Sequence, residues 1–84
     1  MDGYLQKWAN IFSRYHKYYF WVQDGFLKYE TEDKKKGPKS INLKEAYVAK
    51  EMKSRRKFKI TTSKAKYRLK AESVAERDKW VAVL

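Results

Sequence analysis

The second half of the chain alternates polar and apolar positions. Lys57-Phe58-Lys59-Ile60-Thr61 and Lys66-Tyr67-Arg68-Leu69-Lys70-Ala71 each put every second side chain on one face. A period of two belongs to a strand with one buried and one wet face. Thr62 to Ala65 joins the two as a turn. Upstream the apolar residues are denser. Tyr4 to Trp8 reads as a strand, Ala9 to His16 as a mixed loop, and Lys17 to Gln23 as a strand of Tyr, Phe, Trp and Val. Asp24-Gly25 tolerates the positive φ of a tight turn, so Phe26 to Glu30 returns as the second arm of a hairpin. Glu32 to Lys39 is a charged loop carrying Gly37-Pro38. Ser40 to Leu43 and Ala46 to Ala49 are short strands, separated from Lys57 by the basic loop Lys50 to Arg56.

The last twelve residues break this period. Ser73-Val74-Ala75-Glu76 has the spacing of a capping box, in which the Ser73 hydroxyl accepts from the Glu76 amide. Val74, Trp80, Val81 and Leu84 share one face of the helix that follows. The spacing predicts a helix over 73–84, running past Leu84 in a longer parent. The expected fold is mainly β: seven antiparallel strands curled into a barrel or sandwich, capped by one C-terminal α-helix, with residues 1–84 as one domain. Length agrees, since 84 residues suffice for one small core.

Charge changes the picture most. Twenty-one Lys and Arg face ten Asp and Glu, for a net +11. Such a field draws polyanions: anionic lipid headgroups, nucleic acid or acidic protein surfaces. With no cysteine, disulfides and thiolate metal sites are excluded, and the chain reads as intracellular. No signal-peptide pattern opens it. The longest apolar run, Tyr18 to Val22, is too short to cross a bilayer. A catalytic reading lacks a nucleophile with a base, a carboxylate pair or a metal set, so no enzyme, metal or cofactor is expected.

Several segments resemble one family in order along the chain. Gly3-Tyr4-Leu5-Gln6-Lys7-Trp8 is similar to the first strand of pleckstrin-homology (PH) domains. Tyr19-Phe20 before Asp24-Gly25-Phe26-Leu27-Lys28-Tyr29 looks like their second and third strands. Gly37 with Ser40-Ile41 resembles the entry to the fourth. Tyr67-Arg68-Leu69-Lys70-Ala71 resembles the seventh, and Ala75-Glu76-Arg77-Asp78-Lys79-Trp80 the capping helix with its signature tryptophan. Leu5-Gln6-Lys7-Trp8-Ala9-Asn10 is most similar to the subgroup in oxysterol-binding and four-phosphate adaptor proteins, which recognises phosphatidylinositol 4-phosphate, often on Golgi membranes.

The resemblance implies a phosphoinositide site and supplies its residues. Lys7 stands where the family places a headgroup-binding lysine. The family's basic-x-Arg pattern falls on His16-Lys17-Tyr18, with Tyr18 in place of the Arg, which removes a bidentate phosphate grip. Arg14 and Lys17 are candidates to compensate. Tyr29 stands where the family often has a phosphate-touching tyrosine, with packing as the alternative. Lys36 belongs to the Lys34–Lys36 run that borders the headgroup, where each cation near an anionic leaflet adds about 1 kcal/mol. Ile11 and Phe12 sit in the first loop as candidates for membrane insertion, the alternative being that they fold back on the barrel. Lys50, Lys53, Arg55, Arg56, Lys57 and Lys59 form a second basic cluster whose direction the sequence leaves open. Trp8, Trp21 and Trp80 read as structural.

The expected partner is an anionic, phosphoinositide-bearing membrane. The chain would act as the recruiting module of a larger lipid-transfer or adaptor protein, cytoplasmic and peripheral at Golgi or endosomal membranes. The alternative is a protein-interaction domain on the same scaffold, with weak lipid binding. Nucleic acid ranks last, because no recognised motif accompanies the charge. An isolated domain is expected to be a monomer.

Overall fold

A computed structural model describes residues 1–31 and 37–84. It contains β1 (Asp2–Ala9), β2 (Arg14–Gln23), β3 (Phe26–Glu30), β4 (Lys39–Asn42), β5 (Tyr47–Lys50), β6 (Lys57–Thr61), β7 (Lys66–Lys70) and α1 (Val74–Val83). The strands form one antiparallel sheet in the order β4-β3-β2-β1-β7-β6-β5. The seven strands and the C-terminal helix are those the sequence predicts.

The register explains how one sheet encloses a core. β1 and β2 pair along eight residues, from Asp2 opposite Trp21 to Ala9 opposite Arg14. β1 meets β7 only at Gln6 with Lys70 and Lys7 with Leu69. That short seam lets the two halves face each other across Leu5, Phe20, Leu27, Ile41, Phe58, Ile60 and Leu69, all buried. Trp80 of α1 fills the end of this core with 1% exposure. Burying aliphatic and aromatic side chains of this size contributes about 1.5–3 kcal/mol each, which makes the layer the main source of stability.

The Asp24-Gly25 turn forms as predicted, with both residues at positive φ (52° and 81°). A two-residue hairpin loop of this hand suits the twist of its strands. The first loop differs from expectation. Arg14, Tyr15 and His16 belong to β2, so the connection shrinks to residues 10–13, closed by the Ser13 amide donating to the Asn10 carbonyl at 3.3 Å. The β1 register reaches Arg14, and ladder pairing outweighs the weak strand propensity of this polar stretch.

The helix start is as expected: Ser73 has extended backbone and its Oγ accepts from the Glu76 amide at 3.1 Å. The helical face differs in part. Val74 is exposed, and Arg77 is buried beside Trp80. Arg77 Nη1 donates to the carbonyls of Ser54 (3.3 Å) and Lys57 (3.5 Å), and Nε donates to Asp78 (3.0 Å). These bonds satisfy a charge that burial alone would penalise.

Candidate functional site

The period of two along β1 places Lys7 on the same face as buried Leu5, one step nearer the β1–β2 loop. Lys7 is opposite His16, and Leu5 is opposite Tyr18. The Lys7 Nζ lies 5.6 Å from the ring centre of Tyr29, 5.8 Å from Tyr18 and 5.9 Å from Tyr67. Three rings from three strands thus hold one ammonium at the rim of the barrel. An ammonium near a ring face gains about 0.5–1 kcal/mol where exposed, and more where desolvated.

The opening there has a volume of about 80 Å³ and is lined by Lys7, Tyr18, Tyr29, Glu30, Thr31, Gly37 and Lys39. It is large enough for several waters or one compact polar group. Burial first, then neighbouring Lys39, lowers the Lys7 pKa below its ordinary value. Burial, then Tyr67 and Tyr18, pushes the Tyr29 hydroxyl up to about 12. Tyr29 therefore keeps its proton at neutral pH and can donate it in a hydrogen bond. Two cations, a neutral phenol donor and one carboxylate make this rim net positive. A wider cavity of about 390 Å³ beside β4 carries Glu45 and Lys64, which offset each other, so it does not concentrate anions in the same way.

Arg14 and His16 share the Lys7 side of the hairpin. Arg14 Nε donates to His16 Nε2 at 3.3 Å, and the guanidinium lies 5.8 Å from the Phe12 ring centre. Phe12 is 5.1 Å from the His16 ring. Tyr18 packs edge-on against Tyr29 (5.6 Å) and Phe20 (6.3 Å), so the position of the missing arginine holds a packed ring.

Lys17 is not gathered with Lys7. It stands opposite Gln6, on the other face of the hairpin, with Nζ 4.6 Å from the Tyr4 ring centre. Strand geometry alone separates neighbours 16 and 17 in this way. Lys36, with Lys34 and Lys35, lies outside the described residues. Lys39, which the sequence reading groups with the Lys34–Lys36 run in the loop bordering the headgroup, lines the opening, and Tyr67, which that reading did not assign to the site, stands beside Lys7. Tyr67 was signalled only by the alternation of β7.

The loop beyond this rim is apolar at its tip. Ile11 is 90% exposed and Phe12 62%. Neither folds back into the barrel core. No helix among the described residues is long and apolar enough to cross a membrane.

The PH domain family model matches residues 1–84. The chain is a PH domain. No curated protein sequence matches it. Among solved structures it is similar to the PH domain of human oxysterol-binding protein-related protein 11, at 24% identity and TM-score 0.84, covering 98% of this chain and 73% of that one. It is similar to the C-terminal PH domain of pleckstrin, in complex with D-myo-Ins(1,2,3,5,6)P5, at 23% identity and TM-score 0.84, covering 99% and 88%. The Slm1 PH domain, in complex with phosphoserine, matches at 26% identity and TM-score 0.79, covering 98% and 88%. These near-equal identities do not single out the oxysterol-binding subgroup.

Proposed function

We propose that this PH domain binds a phosphoinositide headgroup at the Lys7 rim and recruits its parent protein to an anionic membrane, acting as a binding module and not as an enzyme. The observation that carries this reading is the Lys7 ammonium, held by Tyr18, Tyr29 and Tyr67 and flanked by Lys39 at an open rim. Its charge is already partly desolvated and oriented, so less ordering is lost on binding an anion. A phosphate here gains charge-assisted hydrogen bonds from Lys7 and Lys39 and a neutral one from Tyr29. Similarity to a PH domain that binds phosphoserine supports a phosphomonoester as the chemistry recognised.

Binding has two further parts. The +11 charge draws the domain to the leaflet, and this attraction weakens with salt. Ile11 and Phe12 then enter the interface and slow departure. With Tyr18 in place of an arginine, the grip is electrostatic more than bidentate. We place the domain at cytoplasmic membrane surfaces, with phosphatidylinositol 4-phosphate on Golgi or endosomal membranes as the first lipid to try.

The test is co-sedimentation at physiological salt with vesicles of matched charge. These contain phosphatidylinositol 4-phosphate, the 4,5-bisphosphate, or phosphatidylserine alone. Selective pelleting with a phosphoinositide, abolished by Lys7→Glu, is the expected result. Equal pelleting with all three, or full binding by Lys7→Glu, overturns the headgroup site.

A further inference from the structure

The wider cavity beside β4 has a volume of about 390 Å³, within the range of small-ligand clefts. Tyr67 is its common wall with the headgroup rim: the ring lines the cavity, and its centre lies 5.9 Å from the Lys7 Nζ. Two charges of opposite sign line the same cavity, Glu45 from the β4–β5 connection and Lys64 from the β6–β7 turn. Among the described residues neither belongs to an ion pair. The acids that do are Glu51, Glu76 and Asp78, and the cations are Lys50, Lys59, Arg77 and Lys79. An acid and a base that share one cavity without pairing match a ligand that carries both charges.

Both charges stand on braced turns. The Thr62 amide donates to the Ala65 carbonyl at 2.9 Å, and Thr62 Oγ1 accepts from the amides of Lys64 (3.2 Å) and Ala65 (3.1 Å). At the other end Asn42 Oδ1 accepts from the Lys44 amide at 3.0 Å, and the Ala46 amide donates to the Leu43 carbonyl at 3.3 Å. The strands fix the order of the charges. β4 starts at Lys39, opposite Tyr29 at the rim, and ends at Asn42, opposite Phe26. Glu45 follows that far end, whereas the turn of Lys64 leads into Tyr67 beside Lys7. The cavity is therefore positive near the rim and negative away from it.

We propose that this cavity takes the headgroup of a zwitterionic, ethanolamine-type phospholipid beside the phosphoinositide, its phosphodiester at Lys64 and its primary ammonium at Glu45. The polarity agrees, because in such a lipid the phosphate adjoins the acyl chains and the ammonium is the free end. The phosphodiester accepts from the Lys64 ammonium and the Ser63 hydroxyl. The ligand's ammonium brings three donors, which meet the Glu45 carboxylate and the oxygens of Ser40 and Asn42 along β4. A choline headgroup has no N–H and would leave that carboxylate without a donor. The placement of the cavity at a leaflet rests on the reading under Proposed function, while the match between its two charges and an ammonium phosphodiester does not depend on Lys7.

The experiment compares vesicles of equal phosphatidylinositol 4-phosphate content. Their neutral lipid is phosphatidylcholine alone or phosphatidylcholine mixed with phosphatidylethanolamine, so the surface charge is the same. The domain should bind the ethanolamine vesicles about 10-fold more tightly, the size of one charge-assisted bond. Glu45→Gln should remove this preference and keep phosphoinositide selectivity. That variant is more basic than the parent, so a weaker general attraction does not explain the loss. Ile11→Ala with Phe12→Ala should weaken binding to both vesicles and keep the preference, which separates the headgroup from the looser packing of ethanolamine lipids. Followed by NMR, soluble glycerophosphoethanolamine should shift the amides of Glu45 and Lys64, and glycerophosphocholine should not. Silence at Glu45 and Lys64, a preference that Glu45→Gln keeps, or one that the loop variant loses overturns the site. Equal binding of the parent to both vesicles overturns its lipid source. Shifts at Glu45 and Lys64 with no vesicle binding at all refute the reading under Proposed function and leave the chemistry of the cavity standing.

Discussion

Replacing the two apolar residues of the β1–β2 loop separates membrane insertion from headgroup recognition. Fully burying a Phe or Ile side chain contributes about 1.5–3 kcal/mol. Phe12 has 62% of its surface in water to offer the bilayer, and Ile11 has 90%. Scaled by exposure, insertion gains about 1.5 kcal/mol from Phe12 and about 2 kcal/mol from Ile11. At about 1.4 kcal/mol per decade, Phe12→Ala weakens vesicle binding about 10-fold and Ile11→Ala about 25-fold. The double variant should reach about 300-fold if the two contributions add. Vesicle co-sedimentation reads this loss, and calorimetry with soluble inositol 1,4-bisphosphate reads the headgroup site alone. Soluble binding should stay within about twofold of the parent, since neither side chain lines the Lys7 opening. Unchanged vesicle binding by the double variant would refute insertion. An equal loss in both assays would mean that the loop shapes the headgroup site instead.

Arg77→Met should destabilise the domain by about 2–3 kcal/mol, because the Ser54 and Lys57 carbonyls lose a charged donor. In thermal unfolding followed by circular dichroism this is a Tm lower by about 10–20 °C, and a change equivalent to under about 0.5 kcal/mol would refute the anchoring role. Lys7 should titrate below the ordinary lysine value of 10.5, because burial and Lys39 disfavour its charged form. The sign follows from the unfolded chain holding that proton more tightly: the penalty is present below the lowered pKa and is relieved as pH rises through it toward 10.5. A bound phosphate acts oppositely, so headgroup affinity should fall as pH rises through the lowered pKa, and the Lys7 side-chain NMR titration should move upward when inositol phosphate is added. A Lys7 midpoint at or above 10.5 in the free protein would contradict the desolvated geometry.

The fold was legible where local chemistry is restrictive. Asp24-Gly25 announces a turn because few residues accept two positive φ angles in succession. β6 and β7 alternate cleanly, so their buried faces could be assigned. β2 could not be read this way, because Tyr18, Tyr19, Phe20, Trp21 and Val22 are apolar on both faces. That loss of contrast is why Lys17 was grouped with Lys7, and only pairing with β1 separates them. The start of β2 was hidden for a related reason: Arg14-Tyr15-His16 has no strand signature of its own and is recruited by its partner strand. Arg77 was missed because a charged residue in a helix ordinarily faces water. Its burial depends on carbonyls some twenty residues upstream, which no helical periodicity reveals.

In a chain this basic, the number of cations says little about where an anion goes. What distinguishes them is whether an acid already neutralises them and whether something holds them still. Lys50, Lys59 and Lys79 pair with Asp78, Glu51 and Glu76, so their charge belongs to the fold. Lys7 sits instead over tyrosine rings. A ring orients an ammonium without cancelling its charge, and an oriented cation loses less side-chain freedom when a phosphate arrives. The β1–β2 hairpin builds that setting because a strand sends successive side chains to opposite faces. The same geometry that brings Tyr18 to Lys7 thus places Lys17 away from it, and sequence proximity alone does not gather cations into a site.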